Sequence, residues 1–128
     1  MTPDETVSEF MARVCRFDLD GACELVTDDI EYDNVPLGKN YGPDGVKGLL
    51  GPMVDNLDEV DWVIHRQIAD GSTVINERTD RFRMGGTWME LPVVGIFEVD
   101  GNGRISLWRD YFDMATFNEQ LATLTGAQ

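Results

Sequence analysis

The chain has 128 residues, 42% of them hydrophobic, enough to build one core and too many for a disordered segment. Its 24 acidic and 10 basic residues give a net charge of −14, which disfavours nucleic acid, anionic membranes and phosphorylated substrates. No apolar run approaches the length of a membrane span, and the opening Met1-Thr2-Pro3-Asp4-Glu5 lacks the basic and apolar regions of a signal peptide. The expectation is a cytoplasmic protein with one domain over 1–128, its acidic surface serving solubility.

Val7, Phe10, Met11, Val14 and Phe17 recur at helical spacing and predict a first helix from about Asp4 to Leu19, stopped by Asp20-Gly21. Ala22 to Val26 fits a short second helix ending near Thr27-Asp28-Asp29. Ile30 to Asn34 reads as a short extended piece, and Pro36 and Gly38 as a loop. A third helix starts after Gly42-Pro43, with proline in its first turn and the stripe Val46, Leu49, Leu50, Met53 and Leu57. Gly51-Pro52 predicts a kink or break in it.

Three strands follow at about Val60–Ile68, Thr73–Met84 and Thr87–Val99, joined by turns at Asp70-Gly71 and Gly85-Gly86. Asp100-Gly101-Asn102-Gly103 makes another turn before a last strand from about Arg104 to Phe112. Asp113 is a good N-cap for a final helix carrying Met114, Phe117 and Leu121. This order predicts an α+β domain, a curved, mainly antiparallel sheet with helices on one face.

Cys15 and Cys23 lie in no metal-binding pattern and read as reduced packing residues. His65, the only histidine, shares a mostly polar strand face with Asp61, Val63 and Gln67. A histidine-dependent triad or a multi-histidine metal site is hard to build from it. No metal and no cofactor is expected.

Alternation along the strands places the chemistry. Residues two apart share a face. On the second meander strand Val74, Asn76, Arg78, Asp80, Phe82 and Met84 form one face, and Ile75, Glu77, Thr79, Arg81 and Arg83 part of the other, which looks solvated. The even face therefore points inward, as do Trp108, Asp110 and Phe112 of the last strand. Buried charges must be paired, so Arg78 has to meet Asp80, Asp110 or both. Two carboxylates and a guanidinium in an apolar setting make a plausible general acid and general base.

The segments Tyr32-x-Asn34, Arg78-x-Asp80 and Trp108-Arg109-Asp110-Tyr111-Phe112-Asp113 resemble those of the limonene-1,2-epoxide hydrolases. Glu9-Phe10-Met11, Pro36-Leu37, Tyr41-Gly42 and Gly95-x-Phe97 extend the resemblance over nearly the whole chain. It implies the cone-shaped fold of nuclear transport factor 2 and SnoaL-like proteins: a curved mixed, mainly antiparallel sheet with N-terminal helices on its concave face. It also implies one-step hydrolysis of a hydrophobic, cyclic, terpene-like epoxide to a vicinal diol, without metal, cofactor or covalent intermediate. In that scheme Asp110, Tyr32 and Asn34 hold the attacking water and Asp110 is the base. Asp80 is the acid, Arg78 orients both carboxylates, and Trp108 lines the site and holds Asp80. Strand face and family position make Met53, Leu57, Phe82, Leu91, Val93 and Phe112 wall candidates, with Leu37 near the mouth. Small hydrophobic epoxide and water are the expected partners, and a homodimer the expected assembly.

Three other readings compete: a ketosteroid-isomerase-like enzyme, a polyketide-cyclase-like enzyme, and a non-catalytic small-molecule binding module. The isomerases use a carboxylate base and a protonated carboxylic acid but need no arginine between two strand carboxylates. A binding module would not require Tyr32, Asn34, Asp80 and Asp110 together. A nucleophile-based hydrolase of the α/β type is set aside for want of length and of a nucleophile-elbow sequence.

Overall fold

A computed structural model describes residues 1–126. The elements are helix α1 (Pro3–Cys15), helix α2 (Leu19–Cys23), strands β1 (Val26–Asn34) and β2 (Gly38–Tyr41), and helix α3 (Gly42–Asn56). Strands β3 (Glu59–Asp70), β4 (Thr73–Met84), β5 (Thr87–Val99) and β6 (Ile105–Tyr111) and helix α4 (Met114–Thr125) follow. The expected α+β class and mainly antiparallel sheet are what the chain adopts. One sheet has the order β2-β1-β6-β5-β4-β3, antiparallel except where β1 runs parallel to β6.

Helix α1 opens with a capping box, the Thr2 side chain accepting from Glu5 N and the Glu5 side chain from Thr2 N. It ends earlier than its apolar stripe suggested. Phe17 adopts φ 62°, so it leaves the stripe and stands 39% exposed. Asp18 then caps α2 by accepting from Gly21 N, which puts Asp20-Gly21 inside the second helix instead of between two helices. Val26 to Asp29, expected to finish that helix, already belong to β1, and the expected loop at Gly38 is strand β2. Helix α3 runs past Pro52 to Asn56 without the expected break, and Asn56 Nδ2 donates to the Pro52 carbonyl. Asp113 caps α4 as expected, accepting from Thr116 N at 2.9 Å.

Strand β3 holds the correction that matters most for the site. Val60, Trp62 and Ile64 face Phe82, Asp80 and Arg78, but the register shifts between Ile64 and Arg66, so His65 is a bulge. Beyond it Gln67 pairs with Asn76 and lies on the inner face. His65 stays exposed, with Nε2 2.8 Å from Thr79 Oγ1. The shared His65–Gln67 face read from simple alternation is therefore broken at this one residue.

Val7, Phe10, Met11 and Val14 of α1 pack on the inner sheet face, where Phe10 meets Trp108 edge-on at 5.1 Å. Ile30, from β1, is fully buried in the same core. Ile30→Val removes one buried methyl group and is expected to cost about 1 kcal/mol, read as a lower urea midpoint at unchanged slope. Cys15 and Cys23 are unpaired and partly buried, and burial pushes both thiols above their ordinary range.

Candidate functional site

Register brings the polar residues together. Tyr32 and Asn34 of β1 stand beside Trp108 and Asp110 of β6; Asp110 stands beside Gly95 of β5, and Gly95 beside Asn76 of β4. Arg78 and Asp80 occupy the next two inward positions of β4. All are buried, and the Arg78 side chain is fully so.

Arg78 does pair with both carboxylates. Its Nε and Nη2 donate to Asp80 Oδ1 and Oδ2 at 2.9 and 3.1 Å. Its Nη2 and Nη1 donate to Asp110 Oδ2 and Oδ1 at 2.9 and 3.3 Å. The remaining Nη1 hydrogen goes to Asn76 Oδ1 at 2.8 Å. All five guanidinium N–H groups are thus used, which is how so large a charge is tolerated in the core.

Trp108 plays a different part from the expected one. Its Nε1 donates to Asp110 Oδ1 at 2.8 Å, so it holds Asp110 and not Asp80. It stays off the cavity wall, stacked behind Tyr32 with ring centroids 3.9 Å apart and planes 5° apart. Asn34 Nδ2 donates to Tyr32 Oη at 3.1 Å, leaving the Asn34 carbonyl and the phenolic hydrogen for another group.

The two ends of the site differ electrostatically. Burial raises Asp80 above the ordinary aspartate range; the guanidinium opposes this, and the Asp110 charge adds to it. Burial, then the Asp110 charge, lifts the Tyr32 phenol well above its usual value, so it stays protonated. Burial works against the charge on Arg78, but Asp110 and Asp80 outweigh it and keep the group a cation. Asp110 accepts three hydrogen bonds, two from Arg78 and one from Trp108.

These groups open into a cavity of about 400 Å³. Tyr32, Asn34, Asp80 and Asp110 form its polar floor. Leu37, Met53, Leu57, Phe82, Leu91, Val93 and Phe112, the expected wall positions, all line it. Sequence reading missed Trp62, Met84 and Met89 on the strands and Leu124 on α4, and α4 closes one side through Phe117 and Leu121 as well. Alternation outward from Phe82 and Leu91 reaches Met84 and Met89, and was the available signal for those two. The cavity is the default place for a ligand: apolar walls with a few converging polar groups. Among the described residues no helix is long and apolar enough to cross a membrane.

Comparison with known proteins fits this geometry. A family model of the limonene-1,2-epoxide hydrolase catalytic domain matches residues 1–123. Epoxide hydrolase EphG of Mycobacterium tuberculosis is 38% identical over 108 residues, covering 84% of this chain and 71% of that protein. The solved structure of an M. tuberculosis LEH-like epoxide hydrolase superposes with a TM-score of 0.82 at 35% identity, over 97% of this chain and 92% of that one. A putative SnoaL-like polyketide cyclase from Shewanella denitrificans reaches a TM-score of 0.84 over 93% and 96% of the two chains, at 17% identity. That last likeness shows the fold alone.

Proposed function

The chain belongs to the limonene-1,2-epoxide hydrolase family and is an epoxide hydrolase, and on that premise we propose that it opens a hydrophobic, cyclic, terpene-like epoxide in one acid–base step. The observation that carries this reading is the single guanidinium shared by two carboxylates, one of them raised by burial, at the floor of an apolar cavity.

The attacking water is held by three groups. It gives one hydrogen to Asp110 and one to the free carbonyl of Asn34, and accepts the Tyr32 hydroxyl. One lone pair is left to face an epoxide carbon. As the water oxygen bonds to that carbon, the ring C–O bond breaks. Asp110 takes the water proton and Asp80 delivers its own to the epoxide oxygen. No free alkoxide forms, which is the main obstacle at neutral pH. The pair holds one proton before and after the step, so the charge facing Arg78 is unchanged in total. No covalent ester and no cofactor enters this scheme. In a single turnover in ¹⁸O-water the added diol oxygen should carry the label, whereas a carboxylate nucleophile would deliver unlabelled oxygen.

The first test is diol formation from limonene-1,2-epoxide and cyclohexene oxide by the purified protein. Absence of diol from every cyclic epoxide offered would remove the substrate assignment.

Asp80 also sets a pH dependence. Turnover needs its proton, so kcat is expected to fall as pH rises through its raised pKa. The stability sign follows from the same shift: the folded state binds this proton more tightly than the unfolded one. That contribution is full below the ordinary aspartate range and is lost as pH rises through the raised folded value. Asp80→Asn should abolish this part of the dependence, checked by urea denaturation across pH.

The proposed assembly is a homodimer through the outer sheet face. Ile75, Val94 and Tyr111 are 42–44% exposed there, beside Pro92 and the His65 bulge, a patch suited to an isologous contact. Light scattering should give twice the chain mass, and Val94→Lys should return it to one.

A further inference from the structure

One row of the sheet crosses five strands: Asn34, Asp110, Gly95, Asn76 and Gln67 stand side by side. Two of its members, Asn76 and Gln67, have no place in the acid–base step. Both are amides, and each has a carbonyl and an NH₂ group whose directions are fixed by their partners. Asn76 Oδ1 accepts from Arg78 Nη1 at 2.8 Å, and Asn76 Nδ2 donates to Gln67 Oε1 at 3.0 Å. Gln67 Nε2 in turn donates to the N-terminal helix, to Asp4 Oδ1 at 2.7 Å, to the Asp4 carbonyl at 3.1 Å and to Ser8 Oγ at 3.0 Å.

We propose that Asn76 and Gln67 are positioning residues, an amide relay that runs from α1 to the one guanidinium N–H the two carboxylates do not use, and that fixes the rotation of Arg78 between Asp80 and Asp110. The inference rests on the hydrolytic role given to those carboxylates.

The relay has only one internally consistent direction. Turned over, the Asn76 amide would present a donor to a donor on Arg78 and leave Gln67 without its hydrogen. Gln67 prevents that, because the Asp4 carboxylate and carbonyl on its NH₂ side can only accept, and the Ser8 hydroxyl there accepts as well. Asn76 is 1% exposed, so water cannot substitute freely for a lost partner. The β3 bulge makes the relay possible by turning Gln67 inward. Asn76 is also neutral, which suits the position. A third carboxylate would draw on the cation that the two aspartates share.

The test uses the full chain and three variants. Gln67→Leu keeps size and removes the hold on Asn76. Its kcat is expected to fall about tenfold with KM changed less than about twofold, as for a misplaced catalytic group. Gln67→Glu still accepts from Asn76 Nδ2 and should recover activity at acid pH, where its protonated carboxyl can donate to Asp4, and lose it again as it ionises against the Asp4 carboxylate. Asn76→Asp places a third carboxylate on the guanidinium, among Asp80, Asp110 and Tyr32 and with Asp4 beyond Gln67. It should move the alkaline limb of kcat to higher pH, because less of the Arg78 charge is left to hold Asp80 ionised.

A second readout needs no activity. The Asn76 side-chain amide should be slow to exchange with deuterium in the wild type and fast in Gln67→Leu. Failure of the wild type to form diol would count against the hydrolytic reading, and the exchange rates would still decide the relay. Wild-type kcat in Gln67→Leu, or equal Asn76 protection in both proteins, would overturn it.

Discussion

Asp80→Asn and Asp110→Asn should each leave a folded protein whose diol formation has dropped by ~10²–10⁴-fold or more, the usual worth of one positioned acid or base. The two losses arise differently. Asn at position 80 has the charge of a protonated aspartate, so the network stays electrically balanced with Arg78 facing Asp110 alone. What disappears is the transferable proton. One amide NH₂ must also face a guanidinium donor, at a cost of ~1–3 kcal/mol. Asn at position 110 removes the acceptor for the water proton. It also leaves Asp80 as the sole anion for Arg78, which pulls Asp80 toward its ionised form. On the proposed mechanism one substitution removes the base and weakens the acid, so Asp110→Asn should be at least as damaging. Circular dichroism and thermal melting separate inactivity from unfolding. A folded variant of either kind with substantial turnover would reject the two-carboxylate mechanism.

Gly95→Ala is expected to be nearly as harmful, although Gly95 touches no substrate. A Cβ there would lie 2.5 Å from Arg78 Nη1, 2.7 Å from Asp110 Oδ1 and 3.1 Å from Asn76 Oδ1. The backbone at Gly95 would accept alanine, so the effect is one of space. None of the three neighbours can swing aside. Arg78 has every N–H committed, Asp110 is held by three donors, and Asn76 is held on both sides. The methyl group must push the network by roughly an ångström, enough for a ~10²-fold fall in kcat. Overpacking should add a stability loss of ~1–3 kcal/mol. Wild-type kinetics in Gly95→Ala would mean that the guanidinium and its carboxylates have room to shift without consequence.

How legible each part was in the sequence follows from the range of the forces involved. Alternation along β4 identified the buried face with Arg78 and Asp80, and the need to pair buried charge placed Arg78 against both aspartates. Asp113 announced α4, because a cap is a contact within one turn. The errors lie where one residue departs from its neighbours' pattern. Phe17 fits the apolar stripe of α1 yet turns the chain with a positive φ. His65 fits the alternation of β3 yet bulges, which reversed the face assigned to Gln67. The indole of Trp108 was matched with Asp80 across the sheet, while Asp110, two residues along the same strand, was the nearer acceptor. Strand β2 is four residues long and pairs with β1 across a three-residue turn, and its Gly38 and Lys39 carry no β-forming or alternating signal that would mark it as a strand.

The parallel seam between β1 and β6 carries a last consequence, for folding. Strands β3 to β6 follow one another through short turns, and each pair can zip up locally. The seam instead joins the two ends of the chain: Arg109 reaches Asp33, 76 positions away, at 3.0 Å. Closing so long a loop costs entropy that no hairpin incurs. The half of the site proposed to supply the acid, Arg78 and Asp80, lies within the hairpin ladder, while the half proposed to hold the water, Tyr32 and Asn34, lies across the seam. Parting of β1 from β6 would therefore silence the enzyme while most of its sheet stayed intact, so the activity would report on the least local contact in the fold.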